Sequence, residues 1–448
     1  MSTPHPQEEP PSAPLSPPPV APKQSAGAGS SGLRALRERS FLIFWLGHTF
    51  SSIGTKMQQT ALLWHIYELT QDTTALGLMG AVKLAPMVTL VLLGGVLADR
   101  MSRRRVLIWS QITMGLLALA LGILCLGGIS GPLALYVVAA LTEGASAFDA
   151  PARKALLPQL VPVEALSSAL TLTSISKNAA KLVGPALMGF MVAHMNIGWV
   201  YVVNGLSFIA VLASLSVIPD TVMGQSVKVG QGTARAIAEG ARFLGQSRVL
   251  VSMVLLDFCA NLWAAATVLL PVYAKDVLGL EAQGYGLLAS AIAAGGLLAS
   301  FALLALPEPD NKGRWVVLGS LGFGLGTALL GVSQSLWLSM VALALVGAMD
   351  QVSSVFRNTI NQVATPDALR GRVTALNTLF NKSGPRLGEL EAALAASLMG
   401  LTPSLIFGGV ACVLTTGLIV GWHPPLWSWR SSDQPAEVPA GTPGSQAA

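Results

Sequence analysis

The chain carries twelve apolar runs, each near the ~20 residues that a helix needs to cross the hydrocarbon core of a bilayer. They lie near residues 41–68, 74–98, 105–127, 132–156, 166–194 and 197–218, and near 249–274, 283–306, 314–333, 336–361, 372–400 and 403–422. In lipid, only a helix or a closed barrel satisfies its own backbone. Runs of this length therefore predict an all-α membrane protein of twelve transmembrane helices. Composition agrees. Hydrophobic residues make up 52% and charged residues 11%, with a mean hydropathy of +0.61. A soluble domain has about 25% charged residues, so a soluble globular protein is excluded. The net charge of +5 does not point to nucleic acid, because the basic residues sit between apolar runs rather than on one face. Cys125, Cys259 and Cys412 lie far apart inside apolar runs. None has metal-ligand or CxxC spacing, so each reads as a small buried apolar residue, and no metal or cofactor is expected. Neither a nucleophile elbow nor a phosphate loop is present, which argues against an enzyme.

The polar segments divide the chain. Residues 1–32 are rich in Pro, Ser, Ala and Gly and read as a disordered tail without the pattern of a cleaved signal peptide. A basic stretch from Leu33 to Ser40 leads into the first run. Residues 33–218 then form a first six-helix bundle, 219–247 a central loop with an amphipathic stretch from Ala234 to Leu244, 248–422 a second bundle, and 423–448 another disordered tail. Lys and Arg concentrate in alternate connections: Arg100, Arg103, Arg104 and Arg105; Arg153 and Lys154; Lys228, Arg235 and Arg242; Lys312 and Arg314; Arg357, Arg370 and Arg372. The positive-inside rule therefore expects both termini and the central loop in the cytoplasm. An internal repeat supports the six-plus-six division. Gln159-Leu-Val-Pro-Val-Glu164-Ala-Leu166 matches Gln362-Val-Ala-Thr-Pro-Asp367-Ala-Leu369, and Asn178 falls in register with Asn381.

Charges inside the runs select which helices face water. Runs 3, 6, 9 and 12 have uncharged cores, whereas the others, run 8 apart, carry Lys56, Lys83, Glu143, Asp149, Lys177, Lys181, Asp257, Asp350, Lys382, Arg386, Glu389 and Glu391. Ionisable groups at such depth face a cavity or one another. Two readings stay open for each: an ion pair holding helices in register, or a group of a functional cavity. Asp149 with Arg153 suits a gate or surface pair, and Lys177 is close enough to a helix end to snorkel. Arg386 and Glu389, three apart on one helix, can pair locally, while Glu391 points elsewhere. His48 and His65 read either as packing histidines or as proton relays. Trp199, Trp337, Trp422, Trp427 and Trp429 fall where aromatic belts lie.

Two motifs add to this. Gly95-Val-Leu-Ala-Asp99-Arg100-Met-Ser-Arg103-Arg104-Arg105 joins runs 2 and 3. It resembles motif A of the major facilitator superfamily, with Ser102 where that family usually has glycine. Run 5 holds Gly184-Pro185-Ala-Leu-Met-Gly189, which resembles motif C of the proton-coupled exporters of that superfamily. The wider likeness, over about residues 35–422, is to the branch holding enterobactin exporters, macrolide efflux proteins and a lysophospholipid transporter. The charged run in span 11 departs from the enterobactin-exporter pattern. The resemblance implies the major facilitator fold, in which the third helix of each triplet is peripheral, and a monomeric cell-membrane exporter of a small amphipathic molecule, driven by proton antiport through alternating access. It implies Asp257, Asp350, Glu389 and Glu391 as candidate proton carriers. Lys56, Lys83, Glu143, Lys177 and Arg386 become cavity charges. Gly95, Asp99, Arg100, Arg103 and Arg104 become a cytoplasmic gate, and Gly184, Pro185 and Gly189 a helix-packing hinge. A lysophospholipid flippase-like transporter and a non-transporting membrane sensor remain the alternatives.

Overall fold

The apolar runs fold as the helices their lengths call for. The computed structural model describes residues 34–98, 103–218, 241–423 and 425–430. In chain order the long helices are α1 (Arg39–Thr70), α2 (Thr73–Ala98), α3 (Arg103–Leu126), α4 (Pro132–Leu156), α5 (Leu166–His194), α6 (Gly198–Val217), α7 (Arg248–Trp263), α8 (Ala282–Ala305), α9 (Lys312–Val332), α10 (Leu336–Ala364), α11 (Asp367–Met399) and α12 (Leu401–Trp422). Local chemistry starts and stops them. The Thr74 amide donates to Asp72 at the start of α2. Pro132 opens α4, where its missing N–H costs nothing. The hydroxyls of Ser247 and Ser335 accept from the amides three residues on, capping α7 and α10. Gly400, at φ +89, makes the turn between α11 and α12.

One run departs from expectation. Span 7 is not a continuous helix to residue 274. It breaks at Ala264 and Ala265 and resumes as a 3₁₀ turn (Ala266–Leu269), a short α segment (Leu270–Val272) and a π-helical turn (Tyr273–Val277). Pro271 has no N–H to bond Thr267, which favours the break. The last turn of α7 is pinned from outside as well. A Cβ at Gly408 would come 2.1 Å from the Trp263 carbonyl, and one at Gly388 would come 2.0 Å from that of Asn261. Part of the stretch expected to be a disordered tail is ordered. Pro425–Ser428 forms a short helix, α13, whose Leu426 is buried against α9.

The internal repeat is visible in the packing. Within the first half α1 packs on α5 and α6, α3 on α4 and α6, and α2 on α4. The second half reproduces each pair six helices on: α7 on α11 and α12, α9 on α10 and α12, and α8 on α10. The two halves meet through α2 against α11 and α5 against α8, pairs that exchange under the same pseudo-twofold relation. The apolar cores are distributed unequally along the helices. At the end carrying the α1–α2 and α7–α8 connections (the turn end), one continuous core joins the halves, running from Met57, Trp64 and Met188 to Leu270, Tyr285 and Ala392. At the opposite, terminal end each half has its own core, around Phe41, Leu156 and Leu215 in one and Leu250, Val316 and Phe356 in the other. The outer surface is apolar, with Leu304 84% and Leu398 85% exposed. Among the described residues, eight helices are by themselves long and apolar enough to cross a bilayer. A surface of this kind is stable only against lipid.

Candidate translocation site at the seam between the halves

Beneath the shared core lies a cavity of about 380 Å³ on the seam. Helical spacing builds it. Lys56, Gln59, Thr60 and Leu63 recur at three- and four-residue intervals and present one face of α1 to it; Asn178, Lys181 and Pro185 do the same from α5. Lys83 reaches in from α2, Asp350 from α10, and Arg386 and Glu389 from α11. Glycines bring α2 and α11 together here, since a Cβ at Gly80 would lie 2.8 Å from Glu389 Cβ.

Arg386 is the hub. It donates through Nη1 to Glu389 Oε1 at 2.7 Å, within α11, and through Nη2 to Glu143 Oε2 at 3.4 Å, on α4 of the other half. Glu389 Oε2 is buried and has no hydrogen-bond partner. Lys56 Nζ donates to Gln59 Oε1 at 2.7 Å. Lys83 is only 6% exposed, and neither it nor Lys181 has an acidic partner among the described residues. The site thus holds four cations against Glu143, Glu389 and Asp350. Two of its acids share one guanidinium, and two of its lysines are left to water or to a ligand.

Asp257 lies outside the lining of the seam cavity and shares a small pocket with Asp350 and Arg357. Its carboxylate meets Arg357 Nη2 at 2.6 Å, accepts from Asn261 Nδ2 at 3.1 Å, and is 4% exposed. With its amide turned to satisfy both ends, Asn381 also donates to Asp257. Arg357 in turn donates to Ser353. Arg357 is therefore not a cation of the α10–α11 connection, as counted from sequence; α10 runs on to Ala364 and buries it. Asp149, also only 4% exposed, is no surface residue. It pairs with Arg153 at 3.3 Å and accepts from Gln111 Nε2 at 2.7 Å, and Arg153 donates to His48 Nε2 at 2.6 Å. Lys177 lies in a second cavity with this group. Glu391 lines none of the described cavities. It sits one turn beyond Gly388 on the side of α11 that faces α7.

Gly184 lets α5 close on α1, where a Cβ would come 2.7 Å from Lys56 Cβ, and Gly189 meets the Ala282 carbonyl of α8 across the seam. The Pro185 carbonyl faces Gly286 in the same interface. Of the motif between α2 and α3, Gly95 lies in the last turns of α2, while Asp99, Arg100 and the Arg103 side chain lie outside the described residues. Arg104 donates to the Leu215 carbonyl at 2.8 Å, tying the start of α3 to the end of α6. Sequence reasoning missed the aromatic cover. Tyr285 of α8 stacks on Trp64 of α1 at 5.5 Å between centroids, and its hydroxyl donates to the Thr60 carbonyl at 3.4 Å. It also missed a cross-half contact at the turn end, where the Tyr67 hydroxyl donates to Asp276 at 2.5 Å and Lys275 lies 6.0 Å from the Tyr67 ring. Neither had a local signal, because each is an ordinary residue made important by a partner some 200 positions away.

Residues 30–444 match the family model described as transmembrane secretion effector. The chain belongs to this family. Among curated proteins, the chain is similar to the enterobactin exporter EntS of Shigella boydii serotype 18, 27% identical over 80% of this chain and 85% of that protein. EntS of Citrobacter koseri is 25% identical over 90% and 96%. Solved structures share the fold. A POT family transporter in complex with 5-aminolevulinic acid aligns with TM-score 0.71 at 12% identity, over 87% of this chain and 97% of that one. A bacterial homologue of the iron transporter ferroportin, in an inward-facing state, aligns at 0.67 and 18%, over 86% and 98%. The family member described here is thus a multi-pass membrane efflux transporter with the major facilitator fold. It takes a small-molecule substrate.

Proposed function

We propose that this protein exports a small amphipathic anion, siderophore-like in chemistry, across the cell membrane in exchange for protons. The observation that carries the reading is the seam cavity, in which Lys56, Lys83, Lys181 and Arg386 outnumber the acids and Arg386 bridges Glu389 to Glu143 across the two halves. The names of the EntS relatives supply the siderophore class. An anion entering beside Arg386 competes with the two carboxylates for it. A carboxylate that loses its cation in a low-dielectric site favours its protonated form. Substrate and proton would then alternate on one set of charges, with Glu389 and Glu143 as the exchanging acids and Asp350 within reach. Asp257, held by Arg357, serves the architecture of the second half on this reading, and Glu391 stands outside the exchange. With Lys and Arg of the terminal end in the cytoplasm, the shared core closes the outer side and the separated cores flank a cytoplasmic entrance. Alternating access would rock the two bundles, residues 33–218 and 248–422, about the seam. The Gly95–Arg104 motif would latch one of those states, so Asp99→Asn is expected to lower transport at unchanged membrane level. The protein acts as a monomer and has no nucleic-acid partner on this reading.

The test is substrate-linked proton flux in energised inside-out vesicles, with a panel of catecholate siderophores, macrolides and lysolipids. Loss of the imposed pH gradient on adding one siderophore, abolished in Glu389→Gln but retained in Glu391→Gln, is the expected result. A gradient that no anionic compound dissipates, with the protein inserted and folded, sinks the reading. One observation favours a second cargo class: an apolar groove of about 610 Å³ between α2, α3 and α4, bordered by the lipid-facing Trp109 and Leu141, suits a lysolipid tail entering sideways. Dissipation by lysolipids alone selects that alternative.

A further inference from the structure

A second cavity, of about 300 Å³, lies inside the first half toward the terminal end, among α1, α3, α4, α5 and α6. Its charge is lopsided. Lys56, Lys177, Lys181 and Arg153 line it against a single carboxylate, Asp149. That carboxylate is already committed to Arg153 at 3.3 Å and to Gln111 at 2.7 Å. His48 adds no negative charge. It faces Arg153 Nη1 at 2.6 Å, and a nitrogen that accepts from a guanidinium is unprotonated. Lys177 and Lys181 stand one turn apart on α5, where like charges repel, and neither has an acidic partner among the described residues. A lone charge within a membrane helix costs about 2.5–3.5 kcal/mol. Two on one helix face persist where something in the cavity answers them.

The rest of the lining says what that ligand is. Ser51, Ser52 and Thr55 of α1 offer hydroxyls, while Met114, Ala180 and Phe208 make an apolar wall. A cationic side, a hydroxyl side and an apolar side together suit an aromatic carboxylate: the acid group on Lys177 and Lys181, the ring against Phe208 and Met114. Lys56 and Lys181 also line the seam cavity, so the two spaces share a wall of cations. We propose that this cavity is a separate anion-binding site, a vestibule that takes the acidic end of an aromatic ligand at Lys177 before Lys181 and Lys56 hand it to the seam. The hand-over to the seam rests on the transport reading; occupancy of this cavity goes beyond it, because it requires neither a gradient nor coupling.

The test uses the full-length protein purified in detergent at low chloride, titrated with 5-fluorosalicylate and followed by ¹⁹F NMR. Wild type is expected to show two saturable bound environments. Lys177→Gln should weaken one of them at least tenfold and leave the other; Lys83→Gln, which touches only the seam cavity, should do the converse. Lys177→Arg should retain both. Lys177 is exposed to the cavity, so Lys177→Gln should unfold at the wild-type temperature, and its NMR result then reports binding rather than folding. No saturable binding, a single bound environment that Lys177→Gln leaves intact, or a Lys177→Gln titration that superposes on wild type overturns the proposal; a single environment lost in Lys177→Gln upholds this site and counts against the seam. None of these outcomes depends on proton flux, so failure here and failure of the antiport reading are told apart.

Discussion

Arg386 and Arg357 show how the same residue type takes opposite roles on neighbouring helices. Arg357 is 8% exposed and meets an acid, Asp257, that further donors also satisfy, so the group is closed and its charges are spent on each other. Removing one member of a buried pair strands the other, at about 3–5 kcal/mol. Arg357→Met is therefore expected to lower stability by that amount in a denaturant titration in detergent. The double variant Arg357→Met, Asp257→Asn should recover most of the loss, because no charge is then left buried alone. A double variant as unstable as the single one would show that Arg357 acts through packing rather than through its charge. Arg386, by contrast, serves two acids and leaves one oxygen of Glu389 without a partner. An incompletely answered group is expensive in a structural network but suits one that must exchange its partners.

Among elements, the seam between α5 and α8 is set by small residues. A Cβ at Gly189 would lie 2.7 Å from the Ala282 carbonyl, and one at Gly286 would lie 2.5 Å from that of Pro185. Backbone cannot yield as a flexible side chain does, so Gly189→Leu should prevent closure at the turn end. In a background with the three cysteines replaced, a reporter cysteine at Gln59 should become reactive to a membrane-impermeant thiol reagent added on that side, at least fivefold faster than with Gly189 intact. The Ser290 hydroxyl, which donates to the Leu182 carbonyl at 2.8 Å across the same seam, adds one polar tie. Ser290→Ala should give a smaller shift in the same direction, from a hydrogen bond worth about 1 kcal/mol; a rate unchanged in both variants would place the closure elsewhere.

For the molecule as a whole, the distribution of cores defines the state: one core across both halves at the turn end, separate cores at the terminal end. The Tyr67–Asp276 hydrogen bond lies on the closed side. Tyr67→Phe and Asp276→Asn should each shift the balance toward the opposite state by about 1 kcal/mol, roughly fivefold in population. The double variant should go little further, because both remove the same contact. Distances between spin labels at Asp72 and Glu281, in the cysteine-free background, would lengthen in the shifted fraction. Additive shifts would mean that the two residues hold the gate by separate contacts.

The sequence by itself determined the number of helices, nearly all their boundaries, the duplication, and which helices carry charge into the membrane. Those features are local or periodic: a run of about 20 apolar residues has no other stable fate in lipid, and an ionisable residue within it must face away from lipid wherever its partners are. Lys56, Lys83, Arg386 and Glu389 were legible as a group for that reason. What only the tertiary structure decided is the pairing. It assigned Asp257 to Arg357, moved Arg357 from a connection into the core, put Lys177 in a second cavity, left Glu391 outside both, and broke span 7 where glycines of α11 and α12 press on its carbonyls. Coulomb attraction and close packing depend on distance in space, and α4 and α11 lie 243 residues apart at Glu143 and Arg386. Periodicity along one helix shows which way a charge faces; only the packing of twelve shows what it faces.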